Sequence, residues 1–493
     1  MNKKSITKNY IYNLTYQMLV VLVPLMTTPY LTRILGAKEL GIYSYTYSIA
    51  TIFFLFAALG INTYGQREIA YVQDTKEGRS KVFWELMIVR LLSTVISLIL
   101  LYVFSFITHR YQIYYWIFGL YVLGNLFDIT WFYQGIEDFK AVAIRNIIVK
   151  FLFLISVFIF VKNKNDLNIY IFLFSLATFI TNISFWIKIN NLITTVSIST
   201  LNFKKHIKPV ILLFIPQVAS LLYTVFDKTM IGIIVPNIEE VNFYEQASYI
   251  DKTVLMLIIT IGTVMASRMA QAFIKNDKKM MKTYMFEIVT FVWLIGSPLM
   301  FGVAAVIRNV VPWFYGPEYN SVINLVYIMS PLIIIIGLNN VIGIQYLIPT
   351  KKQNKYIFAI VMGSVINIII NIILLNTIGT VGAAISSVVA ELAILFIELR
   401  CVKSIINFYD IIKIGYKYII YSFIMFILVF LSGNIFGATI PGVLFQVLIG
   451  IVVYTLTLLL SKDRFFETYV LSYIKNIVKR KKKYNLHIQC YML

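Results

Sequence analysis

Long apolar runs, separated by short clusters of charged and turn-forming residues, follow one another along the chain. A helix of roughly 20 apolar residues crosses a bilayer core about 30 Å thick. The runs are too long for β-strands and lack an apolar–polar alternation, so the pattern predicts helices. We predict fourteen spans, at residues 10–32, 42–64, 84–107, 112–134, 146–162, 168–187, 209–235, 247–267, 284–307, 320–347, 356–376, 381–400, 415–436 and 440–461.

The composition supports a location in the membrane rather than in solution. Hydrophobic residues make up 59% and charged residues 13% of the 493 residues, and the mean hydropathy is +0.81. Soluble domains have about 45–50% apolar and about 25% charged residues. With 37 Phe and 34 Tyr, the chain is also too apolar to be disordered. The predicted fold class is therefore an all-α membrane protein.

The formal net charge of +21 follows from the predicted topology. Most Lys and Arg residues fall in the N-terminal tail, the loops after even-numbered spans and the C-terminal tail, with Lys140, Arg145 and Lys150 counted among them. Cytoplasmic segments carry such an excess, so we expect both termini in the cytoplasm and the protein in the cytoplasmic membrane. The basic cluster at 479–483 is then a topology signal or a patch for anionic lipid, and nucleic-acid binding is not expected.

The sequence offers little for catalysis or for a bound cofactor. No loop is long enough to fold alone, and no Walker A, HExxH or GxSxG motif stands where it could act. Cys401 and Cys490 are the two cysteines, and the three histidines are scattered, which argues against disulfides, metals and haem. We expect a protein that is not an enzyme and has no cofactor.

Charged residues inside the predicted spans are the candidates for function, because each costs about 2.5–3.5 kcal/mol to insert. Arg90 lies nine residues after Lys81 on one helix, and Asp128 lies nine residues before Glu137 on the next. At 1.5 Å per residue, both lie roughly 13 Å from the cytoplasmic boundary. We therefore expect an Arg90–Asp128 contact, which is either a structural tie or part of a substrate site.

A second group of charges lies in the outer half of spans 7 and 8. It comprises Asp227-Lys228 and Asp251-Lys252, and it suggests a hydrated cavity, although Asp251 and Lys252 could also lie at headgroup level. Glu391 lies near the midplane of span 12 and could carry a coupling proton. Asn367 and Asn371 share a face of span 11, which is typical of hydrogen bonds between helices.

A weak internal echo relates the two halves of the chain, since Tyr43 and Tyr244 each open an even-numbered span after similar stretches. Further short motifs follow one another along the chain: PYLTRILG (29–36), GIY (41–43), GQREIA (65–70), DITWFYQGIEDFK (128–140), RN (145–146), PQ (216–217), DKTMIG (227–232), YEQA (244–247) and GTVGAA (379–384). In these stretches the chain resembles the Wzx-like oligosaccharide flippases of polysaccharide biosynthesis, in the MOP superfamily that includes MATE drug exporters and lipid II flippases. Asn242-Phe243 departs from the Val-Gly usual in that family.

The resemblance implies two six-helix lobes, at 1–207 and 208–403, around a cavity that opens alternately to each side. Two peripheral helices (404–461) and a basic cytoplasmic tail (462–493) would follow. The implied task is to move an undecaprenyl-diphosphate-linked oligosaccharide across the cytoplasmic membrane, with membrane lipids, a polymerase and other assembly proteins as partners. A MATE-like exporter of drugs or cations, or an exporter of another lipid-linked precursor, is the alternative.

A diphosphate headgroup needs cations, and an exporter needs an ion gradient. The sequence suggests six cations for the substrate cavity: Arg90, Lys228, Arg268, Arg67, Arg33 and Lys252. Four buried acids are candidates for coupling to an H⁺ or Na⁺ gradient: Asp227, Glu391, Asp128 and Asp251. A buried carboxyl can take up a proton on one side of the membrane and release it on the other.

The topology yields the first testable prediction. Cysteines introduced near residue 275 and in either tail should react with an impermeant thiol reagent only after the inner face of the membrane is exposed. Cysteines in the predicted outer loop near residue 238 should react in intact cells. A C-terminal tail that is labelled in intact cells would mean that a span has been miscounted.

Overall fold

The computed structural model describes residues 22–472, and this range contains helices and no β-strand. Most of the predicted span 10–32 and the basic cluster at 479–483 lie outside the described residues. The helices are α1 (22–34), α2 (Gly36–Ala58), α3 (Ile61–Tyr71), α4 (Lys76–Thr108), α5 (Gln112–Leu126), α6 (Thr130–Gly135), α7 (Phe139–Phe160), α8 (Leu167–Ser184), α9 (Lys204–Thr224), α10 (Phe226–Ile234), α11 (Glu239–Ile274), α12 (Lys278–Phe314), α13 (Ser321–Met329), α14 (Leu332–Asn339), α15 (Gln353–Ile378), α16 (Thr380–Cys401), α17 (Phe408–Phe436) and α18 (Ile440–Leu460).

Within the described residues, ten helical segments are long and apolar enough to cross a bilayer, and each overlaps one of the predicted spans. Of the other four predictions, 10–32 is largely undescribed and 247–267 lies inside the longer α11. The remaining two are interrupted. The span at 112–134 divides into α5 and α6, and the span at 209–235 divides into α9 and α10. The all-helical membrane fold is confirmed, whereas the number fourteen stays a prediction.

Buried and exposed apolar residues fall on opposite faces of the same helices, as expected for helices in contact with lipid. On α18, Tyr454 and Leu458 are buried, while Leu444, Leu448 and Ile451 are more than half exposed. A stable soluble protein rarely exposes this much apolar surface to water. These faces are therefore the ones that meet the hydrocarbon.

The described residues group into two compact units that differ from the predicted lobes. Unit 1 contains the chain up to Tyr249 together with Phe314–Leu325 and Ile360–Ala390, and unit 2 contains Ile250–Trp313, Val326–Ala359 and the chain from Glu391 onward. The division into lobes at 1–207 and 208–403 stays a prediction. All the contacts described below lie within one unit or the other.

Two glycines of unit 1 allow helices to approach closely. Gly60, between α2 and α3, has a φ of 75°, and a Cβ there would lie 2.7 Å from the carbonyl oxygen of Val210 on α9. A Cβ on Gly232 of α10 would lie 2.0 Å from the ring of Tyr45 on α2. Since no other residue lacks a Cβ, these glycines hold α9 and α10 against the helices at the start of the chain.

Candidate functional site

Unit 1 contains a cavity of about 350 Å³, formed where α1, α2, α7, α8 and the first turns of α11 face one another. Its volume is within the range of about 300–1,000 Å³ typical of ligand sites. Many of the side chains that line it can form hydrogen bonds. The lining residues are Val23, Pro24, Thr27, Thr28, Leu31, Leu40, Tyr43, Ser44, Val149, Lys150, Phe153, Tyr170, Phe174, Ala177, Thr178, Thr181, Asn242, Glu245, Gln246 and Tyr249.

Aromatic rings form a continuous layer on one side of this cavity. The Tyr43 ring meets the Tyr170 ring edge-on, with centroids 4.9 Å apart, and stacks on the Tyr47 ring at 5.5 Å. The Tyr47 ring in turn meets the Phe174 ring at 5.2 Å. Packed rings are rigid and present both an apolar face and, in tyrosine, a hydroxyl. This wall can therefore contact the C–H face and the hydroxyl groups of a sugar at the same time.

Two charged cavity residues were not among the sequence-predicted sites. Lys150 was counted as a loop charge, but it lies inside the membrane-crossing segment Val142–Phe160 and lines the cavity, so that count was wrong for this residue. Its position within the predicted span 146–162 was the available signal. Glu245 lines the same cavity, although it follows Glu239 and Glu240 in a stretch whose acidic composition indicates the outer boundary of the membrane.

Paired contacts connect α10 to α11 beside the cavity. Lys228 Nζ lies 2.8 Å from Glu245 Oε1, and the hydroxyl of Tyr244 donates to Asp227 Oδ2 at 2.5 Å. Both pairs are 17 residues apart, so two consecutive residues of one helix bind two consecutive residues of the other. The Lys228 ammonium also lies 5.8 Å from the centre of the Tyr47 ring. Asp227 and the cavity residue Glu245 are thus connected by two adjacent contacts between α10 and α11.

Asp227 is a buried carboxylate whose hydrogen-bond donors are all neutral. Its Oδ2 accepts from Ser387 Oγ at 2.9 Å as well as from Tyr244, and its Oδ1 accepts from Asn371 Nδ2 at 2.6 Å. Asn367 Nδ2 donates to Ser386 Oγ on α16 at 3.2 Å, so both asparagines form the predicted hydrogen bonds between helices. No Lys or Arg forms an ion pair with Asp227 in the described part of the chain. When ionised, this carboxylate is therefore stabilised by neutral hydrogen-bond donors and not by a cation.

The predicted Arg90–Asp128 contact is confirmed, with Arg90 Nη1 lying 3.6 Å from Asp128 Oδ2. Arg90 is completely buried. It donates to the backbone carbonyls of Asn125 and Asp128, and to Asn62 Oδ1 at 2.5 Å. These carbonyls lie at the break between α5 and α6, where the regular helical hydrogen bonds end. Arg90 adds a donor to two carbonyls that each also accept from another N–H group. Asp128 Oδ1 accepts from the Thr130 amide at 3.0 Å where α6 begins.

The other predicted cations lie apart from the cavity lining. Arg33 donates to the carbonyls of Pro29 and Phe314, while Arg67 pairs with Glu68 at 3.3 Å and is about half exposed. Arg268 lines a different cavity, of about 290 Å³, within unit 2. Lys252 is exposed. A role of these four residues in substrate binding stays a prediction.

Unit 2 holds buried acids as well. Asp251 is 4% exposed, and neither of its carboxyl oxygens has a hydrogen-bond partner among the described residues. Glu391 is 2% exposed and accepts from Asn339 Nδ2 at 2.5 Å. Glu398, also on α16, is completely buried and was not among the sequence-predicted site residues.

Three buried side chains of unit 1 form a hydrogen-bonded network that was not predicted from the sequence. His206 Nε2 lies 2.8 Å from Glu85 Oε2, and His206 Nδ1 lies 2.9 Å from the Tyr64 hydroxyl. Lys205 Nζ pairs with the same Glu85 oxygen at 2.7 Å. This network joins α3, α4 and the start of α9. Sequence spacing gave no signal, since Glu85 and His206 are 121 residues apart.

The fold is similar to those of known membrane exporters. It matches a structure titled "Lipid II flippase MurJ, inward closed conformation" with a TM-score of 0.71 and 18% identity, over 93% of this chain and 99% of that one. It also matches an inward-facing multidrug resistance MATE family transporter of the MOP superfamily, with a TM-score of 0.63 and 14% identity, over 80% and 98%. The described helices and this likeness define a multi-pass membrane protein with the MOP fold.

Sequence comparison then gives the family. The family described as "Polysaccharide biosynthesis protein" matches residues 6–273, which is more than half of the chain. The chain therefore belongs to the polysaccharide biosynthesis protein family, and the family predicted from the sequence motifs is confirmed.

Two relatives are similar over most of their length. The protein named "Putative O-antigen transporter" in Escherichia coli (strain K12) is 26% identical over 412 residues, covering 82% of this chain and 98% of that protein. One of the same name in Shigella dysenteriae is 25% identical over 386 residues, covering 78% of this chain and 96% of that protein.

The contacts of Arg90 yield a prediction about its role. Arg90→Ala should lower the melting temperature of the protein in lipid nanodiscs, because breaking a buried ion pair costs about 3–5 kcal/mol. Adding Asp128→Ala should restore only part of this loss, since the hydrogen bonds from the guanidinium to the carbonyls of residues 125 and 128 and to Asn62 are still missing. If Arg90→Ala instead keeps the wild-type melting temperature and loses export, Arg90 belongs to the substrate site.

Proposed function

We propose that this protein translocates an undecaprenyl-diphosphate-linked oligosaccharide across the cytoplasmic membrane by alternating access, for the synthesis of a surface polysaccharide. The observation that carries the proposal is the polar and aromatic cavity of unit 1, inside a chain of the polysaccharide biosynthesis protein family. The names of the two O-antigen transporter relatives and of the lipid II flippase with a similar fold support the same class of substrate.

The cavity suits a sugar because each wall matches one part of its chemistry. Hydroxyl groups both donate and accept hydrogen bonds. The Thr178 hydroxyl already donates to the Phe174 carbonyl but can still accept, and the Gln246 amide, one of whose N–H groups donates to Asn242, can still both donate and accept. The rings of Tyr43 and Tyr170 provide the apolar surface that a sugar's C–H face requires. The headgroup is then held by contacts that a bilayer core cannot offer, while the polyprenyl chain stays in the lipid.

Lys150 and Lys228 supply positive charge for the diphosphate in this proposal. Lys150 lines the cavity, and Lys228 is positioned beside it by Glu245. An ammonium group binds phosphate as a compact point charge. Arg268, at a predicted cytoplasmic helix end, is the candidate for the first contact with a headgroup that enters from inside.

The alternative function, export of drugs or cations as in MATE transporters, fits the cavity less well. A site for lipophilic cations is expected to combine carboxylates with apolar walls. Here Glu245 is already paired with Lys228, and neutral hydrogen-bonding side chains recur along the wall. Resistance to cationic dyes is therefore expected to be the same with and without this protein.

Asp227 is the proposed coupling group. A buried carboxylate surrounded by neutral oxygen and amide groups can bind either a proton or a Na⁺ ion, since carboxylate, hydroxyl and amide oxygens are ligands for hard cations. Asn371 Oδ1 is buried nearby and has no hydrogen-bond partner in the described residues, so it is one oxygen available to such an ion. Uptake changes the bonds to Tyr244, and Tyr244 is followed directly by Glu245 of the cavity wall.

The cavity assignment predicts a strong effect of one lysine. Lys150→Met should reduce oligosaccharide export by about 10- to 100-fold, because a charge-assisted hydrogen bond to phosphate contributes about 1.5–3 kcal/mol. The matched control is Lys162→Met, an exposed lysine just beyond the other end of the same helix. Export is measured as surface glycan in a flippase-deficient strain, normalised to inserted protein. Equal export by both variants would remove Lys150 from the substrate site.

The coupling assignment predicts the loss of gradient dependence. In proteoliposomes loaded with undecaprenyl-diphosphate-linked oligosaccharide, an imposed H⁺ or Na⁺ gradient should accelerate translocation by the wild type. Asp227→Asn keeps the size of the side chain but not its charge, so it should abolish this acceleration. Asp74→Asn, an exposed acid of the same unit, is the control and should respond like the wild type. An undiminished response of Asp227→Asn to both gradients would reject Asp227 as the coupling group.

A further inference from the structure

Two glutamates of α16 form a separate feature within unit 2. Glu391 and Glu398 are seven residues apart, so they lie on the same face of the helix and are displaced by about 10 Å along its axis. Both are buried, with exposures of 2% and 0%. Such a pair of acids is expensive in a low-dielectric environment unless something neutralises it.

The hydrogen bonds around these glutamates are incomplete. Asn339 Nδ2 donates to Glu391 Oε2, but Glu391 Oε1 and both carboxyl oxygens of Glu398 have no partner among the described residues. The side-chain oxygens of Asn339 and Gln345 are buried and lack donors as well. Buried polar atoms in folded proteins nearly always have a partner. All of these unpartnered atoms are hydrogen-bond acceptors, so the site lacks hydrogen-bond donors. A carboxyl group that is protonated supplies one.

The surroundings of Glu398 favour a proton over a metal ion. A Cβ on Gly343 would lie 2.6 Å from Glu398 Oε1 and 2.5 Å from the Tyr356 ring, so backbone and ring fill the space beside the carboxyl. A hard cation needs about six oxygen ligands around it. An aromatic ring and a glycine backbone leave no room for that shell, whereas a proton needs none.

Among residues 22–472, neither glutamate forms an ion pair with a cation of a neighbouring element. The titratable groups that interact with Glu398 are Glu391 on its own helix and the Tyr356 hydroxyl on α15. Arg400 lies over the ring of Phe396, and Lys352 lies over the ring of Tyr346.

The same glutamates border an irregular helical segment. Residues Asn340–Leu347 form a π-helix that begins directly after Asn339 and carries Gly343 past Glu398. Wide turns of this kind are rare and are frequent at functional sites. Asn340 and Gln345, on this segment, line the unit 2 cavity that contains Arg268.

We propose that Glu391 and Glu398 form a two-step proton-binding site whose occupancy controls the π-helix at Asn340–Leu347 and, with it, the wall of the Arg268 cavity. Each carboxylate takes one proton from water through the end of α16 and becomes a neutral carboxylic acid, so no other reagent is needed. The Glu398 proton arrives first, because Glu398 is nearer that end, and Glu391 is the deeper acceptor. Proton binding here is independent of the transported molecule, so its failure would leave the proposed function intact.

Infrared difference spectroscopy of the purified full-length protein in lipid nanodiscs tests this proposal. Titration from acid to alkaline buffer should show a protonated-carboxyl band that persists at neutral pH in the wild type. Glu391→Gln and Glu398→Gln should each remove part of this band, and the double variant should remove both parts. Glu467→Gln, an exposed acid of the same unit, is the control and should leave the band unchanged. A double variant with the wild-type band would overturn the proposal, as would a band that Na⁺ abolishes at constant pH.

Hydrogen exchange keeps the inference testable if one variant folds poorly. In the wild type, amide exchange across 340–347, corrected for intrinsic rates, should accelerate when the glutamates lose their protons. Because glutamine resembles the neutral acid, Glu398→Gln should keep exchange slow at alkaline pH. Exchange that is independent of pH in the wild type would contradict control of the π-helix by these groups.

Discussion

A charged side chain in a bilayer must find its partners within the protein, because hydrocarbon offers neither water nor counterions. The interior of this molecule is organised by that requirement. Arg90 meets it with a carboxylate and two backbone carbonyls, and in doing so it stabilises the break between α5 and α6. Asp227 meets it with neutral donors, and Lys228 meets it with Glu245. Each of these contacts also constrains the relative movement of the helices that it joins.

The contacts that stabilise these buried charges differ in how readily they can change. The Arg90 guanidinium is completely buried and is bound by Asp128, Asn62 and two backbone carbonyls, so Arg90 is suited to a structural role. A carboxylate held by dipoles alone remains able to accept a proton or a small cation. Asp227 is therefore the group in unit 1 best suited to change its charge during a transport cycle. In the proposed mechanism, the two parallel contacts between α10 and α11 would transmit that change to Glu245, and hence to the cavity proposed for the headgroup.

The sequence predicted those features that depend on helix geometry alone. A rise of 1.5 Å per residue placed Arg90 and Asp128 at one depth, and their contact followed. The spacing of Asn367 and Asn371 likewise predicted their hydrogen bonding. Lys150 was misplaced because loop-charge counting treats every lysine near a boundary as a topology signal. Depth within a helix would have been the better guide.

Contacts between distant segments could not be predicted in this way. The aromatic wall brings Tyr43 beside Tyr170, and the Glu85–His206 pair joins residues 121 positions apart. Nothing in a single sequence states which helix faces meet. The same limit hid Glu398, whose burial results from a close approach to Gly343 that depends on the π-helix. Side chains were thus predictable as candidates, but the choice among them required the fold.

The link between Asp227 and the cavity is tested most directly by measuring substrate affinity against the coupling ion. Binding of undecaprenyl-diphosphate-linked oligosaccharide to the protein in nanodiscs would be titrated with and without Na⁺, at acid and alkaline pH. Coupled sites typically change each other's affinity by about 5- to 150-fold. The account predicts a change of that size in the wild type for one of the two ions, and its loss in Tyr244→Phe, which lacks the hydroxyl that binds Asp227. A wild-type affinity that is independent of both Na⁺ and pH would contradict it.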